Sequence, residues 1–138
     1  FNYHIEEVME AGIQLTGTEI KSIREGRANL QDAYAVIENG EVWLLGMHIS
    51  PFEQASEYFN HDPRRPRKLL LHRRQIDYLQ RQIQQKGYTL VPVALVLNRG
   101  LAKVDLALAR GKRQYDKREA IAERDAQRRI ERALRERG

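Results

Sequence analysis

Ala33-Tyr34-Ala35-Val36-Ile37-Glu38-Asn39-Gly40-Glu41-Val42-Trp43-Leu44-Leu45 is the stretch whose reading decides the fold. Two β-rich runs, Asp32 to Ile37 and Glu41 to Leu45, flank Glu38-Asn39-Gly40. Asn-Gly between such runs is the strongest short hairpin signal, because both residues tolerate the positive φ of a tight turn. A second pair of runs, Thr89 to Leu97 and Leu101 to Ala109, turns at Asn98-Arg99-Gly100. At the front, Tyr3 and Ile5, then Ile13 and Leu15, alternate as strand residues do, and Gly12 reads as a bulge or bend in one long strand. Five or six antiparallel strands follow, and with a bent first strand they suit a small closed barrel.

Two helices interrupt the strands. Thr16 to Gly26 reads as a short one, with Thr18 as its cap, Ile20 and Ile23 on one face and Gly26 as its stop. A catalytic Thr18 or Glu19 is the sharper alternative, and capping is the commoner role. Arg73 to Lys86 places Ile76, Leu79 and Ile83 at helical spacing and stops at Gly87, so an amphipathic helix packs on the sheet.

The 138 residues have room for one core, placed in residues 1–111, and a tail, 112–138. With no cysteine, disulfides, thiolate catalysis and Cys-ligated metals are excluded. No apolar run approaches the ~20 residues of a membrane span and no signal-peptide pattern opens the chain, so a soluble, cytoplasmic protein is expected. The net charge of +5 and a pI near 9.7 point to an acidic partner, nucleic acid being the commonest.

That charge is unevenly spread. From Lys112 onward there are ten Lys/Arg against six Asp/Glu, whereas the first 111 residues are nearly balanced. The tail is rich in Ala, Arg, Glu and Gln, with neither Pro nor Gly between Gly111 and Gly138. Ala122, Ala126, Ile130 and Leu134 make one thin apolar stripe. Asp125 with Arg129 and Glu131 with Arg135 attract, while Arg124, Arg128 and Arg132 repel in sequence. The expectation is a segment disordered when free and helical against a polyanion; the bland alternative is a solvated tail that keeps the domain soluble.

A second basic cluster, Arg64-Arg65-Pro66-Arg67-Lys68 with Arg73-Arg74, puts six cations between Asp62 and Asp77 with no acid among them. On a barrel rim these side chains grip phosphates, and Tyr58, Phe59 and His61 stand close by to stack on unpaired bases. The competing reading is a solvated loop with its aromatics turned inward.

Leu15-Thr16-Gly17-Thr18-Glu19-Ile20-Lys21-Ser22-Ile23 resembles the signature of the SmpB family, small protein B, the bacterial protein partner of transfer-messenger RNA (tmRNA). Glu10-Ala11-Gly12, Gly46-Met47-His48-Ile49-Ser50-Pro51, Asp62-Pro63, Arg67-Lys68-Leu69-Leu70-Leu71-His72, Lys86-Gly87, Ala109-Arg110-Gly111-Lys112 and Asp116-Lys117-Arg118-Glu119 are similar to family motifs, in the family's order. The resemblance spans essentially the whole chain. It departs at the front, where family members carry a short basic segment and this sequence starts at Phe1, so N-terminal RNA contacts are expected to fall outside it.

The resemblance implies a mainly β fold: a closed OB-like antiparallel barrel with packed helices and a basic C-terminal tail that is helical when bound. It implies that Glu10, Leu70 and His72 bind tmRNA on one barrel face, joined by Lys21, Arg64, Arg65, Arg67 and Lys68. A carboxylate is at home there, because it accepts from base amino groups rather than meeting phosphates. Composition alone makes Leu70 a core residue and His72 a helix cap.

The function so implied is a non-enzymatic adaptor of trans-translation and ribosome rescue. The barrel holds the tRNA-like part of tmRNA and stands in for its missing anticodon arm. The tail, through Lys112, Arg113, Tyr115, Asp116, Lys117, Arg118, Arg124, Arg128, Ile130 and Arg132, enters the empty mRNA channel beside small-subunit rRNA and the decoding centre. Tyr115 stands where other members carry His. Elongation factor Tu and alanyl-tRNA synthetase are implied partners through charged tmRNA, with a monomer in a 1:1 complex with tmRNA, no membrane and no cofactor.

Two other classes compete. A metal nuclease built from His48, His61, Asp62 and His72 with Glu10 or Glu53 lacks any ligand spacing such as His-x-x-x-His, and neither a Ser/His/Asp set nor a phosphate loop is present, so neither a metal site nor catalysis is expected. A generic OB-fold single-stranded RNA-binding or ribosomal protein accounts for the barrel and the charge, but not for the tail and its motif.

Overall fold

The computed structural model describes residues 3–111; the expected tail helix, with every tail residue named above, lies outside them. Strand β1 (Tyr3–Ile13) leads into helix α1 (Gly17–Arg24), followed by β2 (Ala28–Asn29), β3 (Tyr34–Glu38), β4 (Glu41–Leu45) and β5 (His48–Ile49). A single 3₁₀ turn (Glu57–Phe59) precedes β6 (Arg67–Leu70), helix α2 (Arg73–Lys86), β7 (Thr89–Asn98) and β8 (Leu101–Gly111). Six strands pair in a ring, in the order β1-β6-β4-β3-β7-β8, and β8 returns to β1; β2 and β5 form a small separate ladder. The fold is mainly β with two helices.

Both hairpins form where the turn residues place them. Asn39 and Gly40 have φ of 52° and 74°, and Arg99 and Gly100 repeat the pair at 52° and 79°, the backbone of a tight two-residue turn whose twist matches its strands. The long hairpin therefore turns on Arg99-Gly100, with Asn98 still in β7.

The first strand bends at a place the sequence does not mark. Its ladder with β8 slips between Ile5 and Glu7, so the bulge lies there rather than at Gly12. Gly12 instead serves close approach: it pairs with both Leu70 on β6 and Lys103 on β8, and a Cβ placed on it meets the Leu70 Cβ at 3.3 Å.

The barrel interior is filled by inward-facing residues of all six strands, among them Ala11, Val42, Leu44, Leu69, Leu90, Val104 and Leu106, and α2 adds Ile76 and Leu79. Each fully buried Val, Leu or Ile among them contributes about 1.5–3 kcal/mol by leaving water. Ile83 packs against the same cluster, so all three apolar positions of α2 face the core.

Helix α1 is capped by Thr16, not by Thr18. The Glu19 N–H donates to the Thr16 hydroxyl at 3.3 Å and the Thr16 N–H donates to Glu19 Oε1 at 2.8 Å, a capping box. The Thr18 hydroxyl is spent elsewhere, 2.8 Å from His61 Nδ1.

Candidate nucleic-acid interface

The basic cluster does not stand on the surface as one patch. Arg67 opens β6 with its side chain fully buried: Nε donates to Glu19 Oε2 at 2.7 Å, Nη1 to the Met47 carbonyl at 2.7 Å and Nη2 to the Pro63 carbonyl at 3.1 Å. A guanidinium with no exposed surface cannot meet a phosphate, so the expectation of Arg67 as an RNA-gripping residue is corrected. Strand alternation is the reason, since Arg67 and Leu69 point inward while Lys68 and Leu70 point out. Arg65 closes the other side of the same carboxylate, with Nη2 2.6 Å from Glu19 Oε1, and remains partly exposed.

Glu19 is thus a buried carboxylate with two arginines and a backbone N–H. Burial alone raises its pKa, but the bonds from Arg65, the Thr16 N–H and Arg67 outweigh that and hold it below the ordinary 4.5. Burial lowers the Arg67 pKa against the pull of Glu19, yet a guanidinium starts too high for this to discharge it. The network ties α1 to β6 and to the loop before it.

Arg64 and Lys21 are exposed. Lys21 Nζ lies 5.4 Å from the centre of the Phe52 ring. Lys68 is on the outer face, 2.7 Å from Glu41 Oε2 on β4. Tyr58 and Phe59 project from the 3₁₀ turn, 88% and 75% exposed and packed edge to face at 5.0 Å, so these aromatics do not turn inward. His61 does not join them, its ring being held between Thr18 and the Ile49 carbonyl at 2.9 Å.

Glu10, Leu70 and His72 do come together. With Leu71 and Gln75 they line one open cavity of about 320 Å³ on the outer face, where β1 meets β6 and α2 begins. Leu70 is 46% exposed, contrary to its composition, because its place in β6 turns it outward beside the bare Gly12. His72 occupies the N-cap position of α2, as expected, and its N–H donates to Gln75 Oε1 at 2.9 Å. That bond orients the Gln75 amide. The cavity offers a carboxylate, an imidazole, an amide and an apolar wall, which suits the edge and face of a base better than a phosphate.

Two residues of this site escape sequence reasoning. Lys103 on β8 reaches Glu10 Oε1 at 2.9 Å, although the register puts Asp105, not Lys103, opposite Glu10. Gln75 is read from the sequence only as part of an amphipathic helix; its Gln at the third helical position, a capping-box signal, is the hint available. Of the imagined metal nuclease, no cluster of three or more His, Cys, Asp or Glu side chains able to hold an ion occurs among the described residues. No helix among them is long and apolar enough to cross a membrane.

Comparison with known proteins bears on the chain as a whole. The family model described as SmpB protein matches residues 1–136. The chain is 62% identical over 137 residues to the SsrA-binding protein of Synechococcus sp. (strain JA-2-3B'a(2-13)), covering 99% of this chain and 89% of the relative. It is 63% identical over 137 residues to the SsrA-binding protein of Moorella thermoacetica (strain ATCC 39073 / JCM 9320), covering 99% and 88%. Among solved structures, a chain from "tmRNA-SmpB: a journey to the center of the bacterial ribosome" superposes with a TM-score of 0.67 at 48% identity, with 87% of each chain covered.

Proposed function

The chain belongs to the SmpB protein family, and from that premise we propose that it is a non-enzymatic adaptor that binds the tRNA-like domain of tmRNA and carries it to stalled ribosomes. The observation that carries this reading is the meeting of Glu10, Leu70 and His72, from two strands and a helix start, around one cavity on the barrel's outer face. Glu10 accepts from a base amino group, Leu70 supplies an apolar face and His72 a ring edge. Lys103 holds the Glu10 carboxylate in place meanwhile. Arg64, Lys21, Lys68 and the outer side of Arg65 meet phosphates around that centre. Arg67 and Glu19 hold the scaffold beneath them.

The tail supplies the second half of the function. Residues 112–138 enter the vacant mRNA channel of the small subunit and fold there, with Lys112, Arg113, Lys117, Arg118, Arg124, Arg128 and Arg132 on rRNA phosphates. Ile130 and the thin stripe around it meet the channel wall, and Tyr115 and Asp116 lie near the decoding centre. Charged tmRNA brings elongation factor Tu and alanyl-tRNA synthetase into the same pathway. The barrel stays a monomer, one per tmRNA, in the cytoplasm.

Cutting the chain after Gly111 tests the division of labour. β8 ends there, paired with Tyr3, so the barrel is complete without the tail. The truncated protein is expected to keep its affinity for the tRNA-like domain in a filter-binding titration and to lose ribosome rescue in a reconstituted translation assay. Loss of specific RNA affinity on truncation overturns the assignment of that RNA to the barrel.

A further inference from the structure

Strand register extends the candidate interface beyond the cavity. Leu70 pairs with Gly12, Gly12 with Lys103 and Lys103 with Val96, so these four residues form one row across β6, β1, β8 and β7. Residues paired in this way point to the same face of the sheet, and here the face is the outer one, since Leu69, Ala11 and Val104 beside them point into the core. The row spans about 14 Å at the usual strand spacing. Leu70 is 46% and Val96 48% exposed, and Leu101, two residues from Lys103 and hence on the same face, is 66% exposed.

The β1 position of the row is bare, and Lys103 stands between it and Val96. Gly12 carries no side chain, and Leu70 leans over it, its Cβ 3.3 Å and Cδ1 3.5 Å from where a Gly12 Cβ would stand. An apolar shelf of Leu70 beside Gly12 is parted from an apolar knob at the β7–β8 hairpin end by the Lys103 stem, whose ammonium turns to Glu10 at 2.9 Å. The knob is ringed by cations. Lys103 stands in the row itself, Arg99 is exposed at the turn, and an Arg24 Nη atom from the end of α1 lies 4.0 Å from the position of a Cβ on Gly100. The acids of the adjoining row, Glu10 and Asp105, lie opposite one another, and Lys103 is 2.9 Å from the first of them.

Exposed aliphatic side chains ringed by arginine and lysine suit a chain that alternates apolar rings with anionic groups. We infer that Val96 and Leu101 form a further RNA-contact surface, joined to Leu70 through Gly12 and the Lys103 stem, on which an unpaired nucleotide of the bound RNA lays its sugar and base face while Arg99 and Arg24 meet its phosphates. This inference rests on the proposed binding of the tRNA-like domain at Glu10, Leu70 and His72, and extends that footprint to the far side of β1 and β8.

The test uses the full chain and the isolated tRNA-like domain of tmRNA in a filter-binding salt series. A Val96→Ser, Leu101→Ser double variant is expected to bind roughly tenfold more weakly with an unchanged salt slope, since apolar contact displaces no counterions. Arg99→Gln is expected to flatten the slope by about 0.7 to 0.9. Leu101→Trp keeps an apolar contact, and its emission, taken against the parent with Trp43 alone, is expected to be quenched by the RNA. Parental affinity in the double variant, or a Leu101→Trp signal indifferent to RNA, overturns the inference. Leu70→Ser, run beside them, separates the failures: if it weakens binding while the double variant does not, only this extension is wrong, whereas parental affinity in Leu70→Ser overturns the site itself.

Discussion

Arg67 Nε and Glu19 Oε2 lie 2.7 Å apart with both side chains fully buried, joining the start of β6 to the first turn of α1. The two residues are 48 positions apart in the chain. Their contact turns what reads as an RNA-binding arginine and a helix-capping glutamate into one buried support for the outer face.

Removing Glu19 leaves the buried Arg67 guanidinium without its counter-charge, whereas removing Arg67 leaves Glu19 to Arg65 and the Thr16 N–H and strips the Met47 and Pro63 carbonyls of their donor. Glu19→Ala is therefore expected to destabilise the fold by about 3–5 kcal/mol in urea unfolding, and Arg67→Ala to destabilise it clearly through the carbonyls left without a donor. Arg65→Ala costs far less, because Arg65 is partly exposed. Arg67→Lys does not restore stability, since an ammonium cannot span the carboxylate and two carbonyls as the guanidinium fork does. Wild-type stability in Arg67→Ala contradicts the structural role given to it.

The Glu19 carboxyl has its pKa lowered in the folded protein, so the unfolded chain binds its proton more readily. Its contribution is present in full above the ordinary 4.5 and is lost as pH falls from there through the folded value. Unfolding free energy measured from pH 7 down to 3 should fall more steeply in the parent than in Glu19→Gln over that window. Parallel curves contradict the assignment.

Gripping and reading are separable on this surface. Arg64→Gln and Lys21→Gln are expected to weaken binding to every RNA and to flatten the salt slope by about 0.7 to 0.9 per lost phosphate contact. Glu10→Gln and His72→Ala are expected instead to reduce the preference for tmRNA over tRNA and leave the slope nearly intact. If both pairs behave alike in a salt series, the division is wrong.

Gly12 is a position where space decides. A Cβ there meets Leu70 at 3.3 Å, and Leu70 is half exposed and free to shift, so Gly12→Ala is expected to change stability by no more than about 1 kcal/mol. Gly12→Val fills the bare position beside Leu70. Thermal melting and RNA titration of both variants check this: stability near the parent's for Gly12→Ala, and clearly weakened RNA binding for Gly12→Val.

The tail carries its own prediction. Ala126→Pro is expected to abolish ribosome rescue and leave tmRNA affinity unchanged, because on the proposed division of labour a proline prevents the tail from folding as a helix in the channel while tmRNA is held by the barrel. Backbone NMR of the free protein tests the coupled folding. Persistent helical shifts from Asp116 to Leu134 without RNA contradict it.

Local chemistry was legible in the chain by itself. Asn39-Gly40, Arg99-Gly100 with its flanking strands, and the Ile76, Leu79, Ile83 spacing of α2 each follow from forces within a few residues, and the structure places hairpins and helix there. The motifs from Glu10-Ala11-Gly12 to Asp116-Lys117-Arg118-Glu119 were enough to indicate the family. What the tertiary structure decided is which face each side chain uses. A strand's side chains alternate, so a one-residue difference in register exchanges inside for outside, and this sent Arg67 into the core and Leu70 to the surface against their composition. The same long-range pairing set Lys103 beside Glu10, lined up Leu70, Gly12, Lys103 and Val96, and moved the bend of β1 to Ile5 and Glu7. No local signal carries those relations, because each depends on a partner strand far away in sequence.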